Sequence, residues 1–399
     1  MTAAAGDPAV GTGALLTVGA VVADGVVHRP GWVRVEGALV QAVGAGPVTP
    51  AAGTAAETVV ALGDDAVVVA GFVDTHVHGG GGADFADADP DAAARVVALH
   101  RRHGTTTMLA SLVTAAPADE LARVTALAAA TEAGLVAGTH LEGPWLSPAR
   151  AGAHDVALLR PPDPAELDAL LTAGRGTVRM VTVAPELPGG LDLITRIVAA
   201  GVVAAVGHTD ADAGTVRAAV EAGATVGTHL FNAMPQLHHR RPGPVGALLD
   251  DPRVTVELVA DGVHVDPAVF RLALAAAGPG RVSLVTDAMS AAGAGEGTYR
   301  LGTVEVVVAG GVARTVGTGS IAGSTATSDA LFRWAVRHAP ASTAEPLALA
   351  ATLISATPAR ALGLTGVGRL APGHRADLVV LDAALRVVRV MRAGTWSSA

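Results

Sequence analysis

Six apolar runs, each closed by a polar, chemistry-bearing residue, constrain this chain more than any other feature. Residues 67–78 read Val-Val-Val-Ala-Gly-Phe-Val-Asp-Thr-His-Val-His. There follow Val-Ala-Gly-Thr-His-Leu-Glu-Gly-Pro (136–144), Val-Ala-Ala-Val-Gly-His-Thr-Asp (203–210) and Ala-Thr-Val-Gly-Thr-His-Leu-Phe-Asn-Ala-Met-Pro (224–235). Val-Glu-Leu-Val-Ala-Asp-Gly-Val-His (256–264) and Ser-Leu-Val-Thr-Asp-Ala (283–288) complete the series. A short apolar run bounded by turn residues reads as a strand buried on both faces, which is the habit of parallel sheets. In a closed parallel barrel, the C-terminal strand edges are where catalytic side chains gather. One His or Asp at such an edge would say little. Six in order describe a metal site.

The stretches between these runs support a barrel. Helices are predicted over 91–103, 117–133, 164–173, 210–221 and 267–277. Strand–helix alternation over about 290 residues fits eight βα units. An open, doubly wound sheet is the alternative, but no G-x-G-x-x-G follows the first strand, and Gly79-Gly80-Gly81-Gly82 has no phosphate-loop character. Residues 303–316 read as a hairpin inserted late in the barrel. The ends of the chain differ in style. Residues 13–44 run in short strands with turns at Asp24-Gly25 and Glu36-Gly37, and 376–394 repeat the pattern. The expected architecture is therefore α/β: a TIM-type (β/α)8 barrel over 68–367, with a small β-sandwich assembled from 1–67 and 368–399.

Composition narrows the chemistry. Cysteine is absent, so there is no disulfide framework and no thiolate ligand, and a transition-metal site must use His and carboxylates. Lysine is absent too: all 27 basic residues are Arg. That removes Schiff-base chemistry, a Walker lysine and a carboxylated lysine as a metal bridge, so a bridging ligand has to be Glu or Asp. The formal net charge is −9 with Arg scattered, which predicts no nucleic-acid partner and no anionic-membrane partner. No apolar run reaches the 18 or so residues of a membrane span. The first basic residue, Arg29, comes too late for a secretory leader, so a cytoplasmic location is expected.

His76 and His78, two apart at a strand end, share a face and can chelate one divalent ion. Glu142 precedes Gly143-Pro144, which resists continuation into a helix and holds the carboxylate in place. His208 and His229 each close a Val-rich run. A lone His at such an edge is more often a hydrogen-bonded core residue; together, the five supply ligands for one or two first-row ions, with Zn, Fe, Mn and Co all admissible. Asp287, at the last edge, can take a proton from a water acidified by a neighbouring cation, the pKa falling from about 15.7 towards about 7. A helix N-cap is its plainer reading.

These motifs resemble the N-acetylglucosamine-6-phosphate deacetylases of the amidohydrolase superfamily. The resemblance rests on Gly71-Phe-Val-Asp-Thr-His-Val-His-Gly, His140-Leu-Glu-Gly-Pro-Trp-Leu, Gly207-His-Thr-Asp-Ala, Thr228-His-Leu-Phe-Asn-Ala-Met-Pro, Ala260-Asp-Gly-Val-His-Val-Asp, Leu284-Val-Thr-Asp-Ala and Ile321-Ala-Gly-Ser. It spans nearly the whole chain, in family order. It implies Glu142, His208 and His229 as metal ligands, with His76 and His78 at a second metal position that only some members keep. It implies Asp287 as catalytic acid/base, His264 and His154 as substrate contacts, and Asn232 and Ala233 at the substrate phosphate. Arg240 matches a phosphate-binding arginine that family dimers supply across the subunit interface. The implied reaction is hydrolysis of N-acetyl-D-glucosamine 6-phosphate to D-glucosamine 6-phosphate and acetate by a homodimer. Another amidohydrolase acting on a related N-acyl sugar or cyclic amide, and a non-catalytic sugar-phosphate-binding homologue, are the alternatives. The residues after Ile321-Ala-Gly-Ser, Thr-Ala-Thr-Ser-Asp, are more polar than the family's usual apolar continuation.

Overall fold

The computed structural model describes residues 13–48 and 58–397. Eight short parallel strands form its centre: β1 (Phe72–Asp74), β2 (Thr105–Met108 continuing as Ala110–Val113), β3 (Thr139–Glu142), β4 (Val178–Val183), β5 (Val203–Val206), β6 (Val226–Gly227), β7 (Thr255–Leu258) and β8 (Val282–Leu284). Neighbours in sequence are neighbours in space from β1 to β8. The ring closes where Val77, just past β1, bridges Ala288, just past β8. β2 is interrupted at Leu109, whose amide donates to Asp74 O while that of Ala110 donates to Gly138 O. A helix follows each strand: α1 (Pro90–Arg102), α2 (Pro117–Glu132), α3 (Pro164–Gly174), α4 (Gly190–Ala199), α5 (Ala213–Glu221), α6 (Gly243–Asp250), α7 (Pro267–Ala277) and α8 (Ser328–His338). The expected (β/α)8 barrel is thus present.

Local sequence explains where the helices begin. Asp89-Pro90, Asp163-Pro164 and Asp266-Pro267 each place a carboxylate at the N-cap, accepting from backbone amides of the first turn, and a proline at the first helical position. The helix expected over 210–221 starts later, at Ala213, because Asp212 caps it by accepting from Thr215 N. The hairpin expected over 303–316 is one strand larger: Gly297–Leu301, Val304–Ala309 and Val312–Thr315 form an antiparallel sheet. Its inner residues Leu301, Val306 and Val308 pack on Val113, Met289 and Ala322, so it sits beside the C-terminal mouth of the barrel.

Both ends of the chain meet in two further sheets. One has four strands, in the order Leu39–Ala45, Gly31–Glu36, Ala14–Val18, Thr58–Ala61. The other has six, in which Val67–Ala70 pairs antiparallel with Leu378–Leu381. Leu16, Val33 and Val35 of the first pack against Val68, Leu378, Val380 and Met391 of the second in a shared core. Among the described residues, no helix is long and apolar enough to cross a membrane.

The closure between the first and last βα units is polar. Asp74 accepts from the Thr286 hydroxyl (2.6 Å) and from Thr286 N (3.2 Å). Outside the strands, Asp329 on α8 accepts from Thr327 Oγ1 (2.6 Å) and Arg333 (2.6 Å) and pairs with His103 at the end of α1 (3.0 Å). Burial opposes ionisation of Asp329, but His103, Thr327 and Arg333 prevail and hold its carboxyl well below the ordinary value. A depressed folded-state value gives stability that is full above the unfolded carboxyl pKa, near 3.9, and is lost as pH falls through the folded one. Asp329→Asn should therefore cost about 1.5–3 kcal/mol at neutral pH. It should also flatten the loss of thermal midpoint below about pH 4; a midpoint-against-pH curve parallel to that of the wild type would exclude this role.

Candidate active site

Every site residue expected from the sequence except Arg240 comes together at the C-terminal mouth of the barrel. A cavity of about 330 Å³ is lined there by His78, Glu142, His154, His208, His229, Asn232, Ala233, His264 and Asp287, with Leu301 and Ile321 on its insert side. His76 lies directly beneath, fully buried. Two groups of donors converge: His76, His78 and Asp287 in one, Glu142, His208 and His229 in the other.

Glu142 is the centre. Its Oε1 lies 2.9 Å from His229 Nε2, 3.1 Å from His208 Nε2 and 3.4 Å from His76 Nε2. Its Oε2 lies 3.3 Å from both His78 Nε2 and His154 Nε2. Asp287 Oδ1 stands 3.2 Å from His78 Nε2 and 3.6 Å from His76 Nε2. Burial would keep the carboxylates neutral and the imidazoles uncharged. The opposite holds: Glu142 and Asp287 are held well below the carboxylate range, chiefly by His76, while these two carboxylates push His76 up and His78 to about 9. Protonated His76 and His78 thus balance the two ionised carboxylates, a role that a bound cation would take over.

The donor geometry fits a metal. Nε2 atoms that face each other at 3.1 Å (His76 and His78) and 3.0 Å (His208 and His229) point their donor positions into common points. Oxygen and imidazole nitrogen donors of this kind suit first-row divalent ions. His154 is different. Its Nδ1 accepts from Thr114 N (3.4 Å), which leaves the hydrogen on Nε2, facing Glu142. Burial holds it down at about 4, so it is a neutral donor beside the cluster.

Backbone strain aims several of these side chains. His208, His229, Ala233 and Asp287 have φ of +47°, +27°, +50° and +49°. Non-glycine residues pay about 1–3 kcal/mol for such backbone, and keep it only when surrounding contacts over-determine it. Here Ser147 N donates to His208 O, His208 Nδ1 meets Arg150 O (2.8 Å), and the turn beyond is clamped by Glu186, which accepts from Thr209 Oγ1 and Asp210 N. Asn232 donates twice to His229 O, from its backbone and its side chain. Asp287 N donates to His76 O, and Ser324 N to Asp287 O. Gly207 must be glycine: a Cβ there would stand 2.7 Å from Thr228 Cβ.

His264 is oriented by Asp261, which accepts from the backbone amides of Val263 and His264 and from His264 Nδ1, all at 2.8 Å. Its Nε2 is left for the cavity. Arg240 does not line the cavity: it sits on an exposed loop with its guanidinium 2.8 Å from His239 Nε2.

A polar layer beneath the cluster was not assigned from sequence. Ser111 Oγ, His140, Thr182 Oγ1 and Thr228 Oγ1 form a chain of contacts at 3.0, 2.9 and 2.9 Å across β2, β3, β4 and the end of β6. Glu257 in β7 and Asp74 in β1 are also buried there. A Glu inside Thr-Val-Glu-Leu-Val-Ala was the legible signal, since an apolar run tolerates a carboxylate only where partners await it.

Removing divalent metal with a chelator should lower the thermal midpoint, since a ligand held at 100 times its Kd adds about 2.7 kcal/mol to the folded state. In Glu142→Ala the chelator should change less, because the carboxylate that faces His208 and His229 through one oxygen and His78 through the other is gone. Equal chelator responses in the two proteins would place the metal elsewhere.

Comparison with known proteins bears on the same centre. Residues 67–396 match the amidohydrolase family. An N-acetylgalactosamine-6-phosphate deacetylase of Escherichia coli O157:H7 is 41% identical over 332 residues, 82% of this chain and 86% of that protein. The N-acetylglucosamine-6-phosphate deacetylase of Bos taurus is 40% identical over 336 residues, 80% and 81% of the two chains. A solved structure from Mycobacterium smegmatis, an aspartate-to-alanine mutant of N-acetyl-D-glucosamine-6-phosphate deacetylase in complex with N-acetyl-D-glucosamine-6-phosphate, is 54% identical. It covers 97% of this chain and 99% of its own, with a TM-score of 0.93. With its eight-stranded barrel and imidazole–carboxylate centre, this chain belongs to the amidohydrolase family, a family of metal-dependent enzymes.

Proposed function

We propose that this chain hydrolyses N-acetyl-D-glucosamine 6-phosphate to D-glucosamine 6-phosphate and acetate in the cavity around Glu142. The observation that carries the reading is the convergence of Glu142, His208, His229, His76, His78 and Asp287 at one barrel mouth. It occurs in a chain 54% identical to a deacetylase solved with that sugar phosphate. The 41% identical relative acting on the galactosamine epimer favours a second reading, in which both epimers are substrates.

Two divalent ions fit the two donor groups, Glu142 lying between them in a chain without lysine. When bound, such an ion supplies Lewis acidity towards the acetamide carbonyl and acidifies a water molecule. Asp287, held in its ionised form, is placed to take the water's proton and to return it to the leaving nitrogen as the C–N bond breaks. His264, turned by Asp261, presents Nε2 to the carbonyl oxygen. His154 donates from Nε2 at the same wall. Asn232 and Ala233 also line the cavity and would hold the phosphate. Arg240 stands outside its own cavity, which supports a homodimer in which each chain lends its guanidinium to the other's phosphate. Arg suits that task because its planar fork binds phosphate through two parallel bonds.

Asp287→Asn should keep the fold and lose roughly 10²–10⁴-fold in turnover. Activity within tenfold of wild type would remove Asp287 from the proton path. Arg240→Ala should lose about 10–150-fold in kcat/KM on the phosphorylated sugar, the equivalent of a charge-assisted bond, and spare unphosphorylated N-acetylglucosamine. Arg240→Lys should recover only part. Mixing Arg240→Ala with Asp287→Asn chains should restore activity if the arginine crosses the interface, since one hybrid site then holds both wild-type residues. Mixed dimers without recovery would return Arg240 to its own chain, and equal losses on both sugars would make it structural. Assaying both hexosamine epimers decides the second reading.

A further inference from the structure

We propose that Glu257 is the positioning residue that makes His76 a metal ligand, and so sets whether the His76–His78–Asp287 group holds an ion. The inference rests on the two-ion reading above and assigns the part of the barrel that supports the second ion.

Glu257 sits mid-strand in β7, 1% exposed, between Val256 and Leu258, which are wholly buried. Its side chain reaches across the barrel to β1. Oε1 accepts from Thr75 Oγ1 at 2.6 Å, and Oε2 lies 3.4 Å from His76 Nδ1. A carboxylate has only acceptor oxygens, so this contact requires the hydrogen of His76 to sit on Nδ1. The Nε2 lone pair then points the other way. That is where His78 Nε2 (3.1 Å), Glu142 Oε1 (3.4 Å) and Asp287 Oδ1 (3.6 Å) converge. Were the hydrogen on Nε2 instead, it would point into the donor cluster and His76 could not ligate.

The two donor groups are supported differently. His208 turns its Nδ1 to a neutral acceptor, the Arg150 carbonyl at 2.8 Å. His78 and His229 have buried Nδ1 atoms with no hydrogen-bond partner among the described residues. Only His76, of these four, is backed by a carboxylate. An anionic acceptor behind an imidazole fixes the ring, fixes the tautomer and raises the basicity of the ligating nitrogen, and its loss typically costs 10–100-fold in metal affinity. Thr75 completes the arrangement by holding Oε1, so that one carboxylate oxygen is spent on aim and the other on His76. The effect should therefore be confined to the ion at the His76 position.

The test is calorimetric titration of the metal-stripped full-length chain with Zn²⁺, with elemental analysis of the product. The wild type should take up about two ions. Glu257→Gln keeps the shape and an acceptor but removes the charge; it should weaken one binding step by roughly 10–100-fold and leave the other at its wild-type value. Glu257→Leu should bind one ion. In a His76→Gln background, Glu257→Gln should cause no further loss, because it acts through His76. Metal-free thermal midpoints serve as the structural readout, and should Glu257→Leu not fold, Glu257→Gln decides. A purely structural Glu257 would weaken both steps together, or neither, and overturn the inference. Two ions bound as tightly in both variants as in the wild type would overturn it while leaving the two-ion reading intact. A single ion in the wild type would remove that reading and this inference together.

Discussion

A buried carboxylate stays ionised only where charges and hydrogen-bond donors surround it, and Glu142 is such a carboxylate here. Five imidazole nitrogens approach it within 3.4 Å. They come from β1, β5, β6 and the loop after β3, so one side chain ties together segments far apart in the chain. Much of the rest of the architecture reads as the means of holding them there. The barrel brings the strand ends to one mouth, and left-handed backbone at His208, His229 and Asp287 turns the side chains inward. Asp74–Thr286 and Asp329–His103 lock the first unit to the last, so that the ring cannot open at the point where His76 faces Asp287.

Strain and electrostatics are balanced against each other at this mouth. Several left-handed residues together cost several kcal/mol. Each is met by hydrogen bonds that have no other evident use: the double donation of Asn232 to His229 O, the Glu186 clamp beyond His208, Ser324 N on Asp287 O. The insert of residues 297–315 adds an apolar residue, Leu301, to the cavity wall.

The sequence made the barrel and the donor residues at its mouth legible for a simple reason. Buried parallel strands read as apolar runs, and a charged or imidazole residue at the end of such a run has to be explained by chemistry. His76, His78, Glu142, His208, His229 and Asp287 all carry that signature, and all meet at the mouth. What stayed hidden is what depends on neighbours across the ring. Asp261 is unremarkable until His264 is seen folded back on it. Asp74 and Glu257 lie within strands, where periodicity does not reveal which partner faces them. The late start of α5 and the third strand of the insert are matters of capping and pairing that local pattern alone leaves open. Arg240 was legible as a cation but not as a position: it lies on an exposed loop outside the cavity, with its guanidinium against His239.

The pairing of Val67–Ala70 with Leu378–Leu381 has a consequence for how such a chain is made. On a ribosome the early strand emerges some three hundred residues before its partner. The whole barrel can fold in that interval, while the half-built sheet shows an unpaired, valine-rich edge to every other nascent chain nearby. Closing so long a loop costs roughly 5 kcal/mol of chain entropy if the segment between is unfolded. A barrel already folded brings the two strands within reach and removes most of that cost. The catalytic unit thus acts as the template on which the two ends of the chain find each other. Damage to the barrel would then appear first as aggregation through the terminal sheets, before it appears as lost turnover.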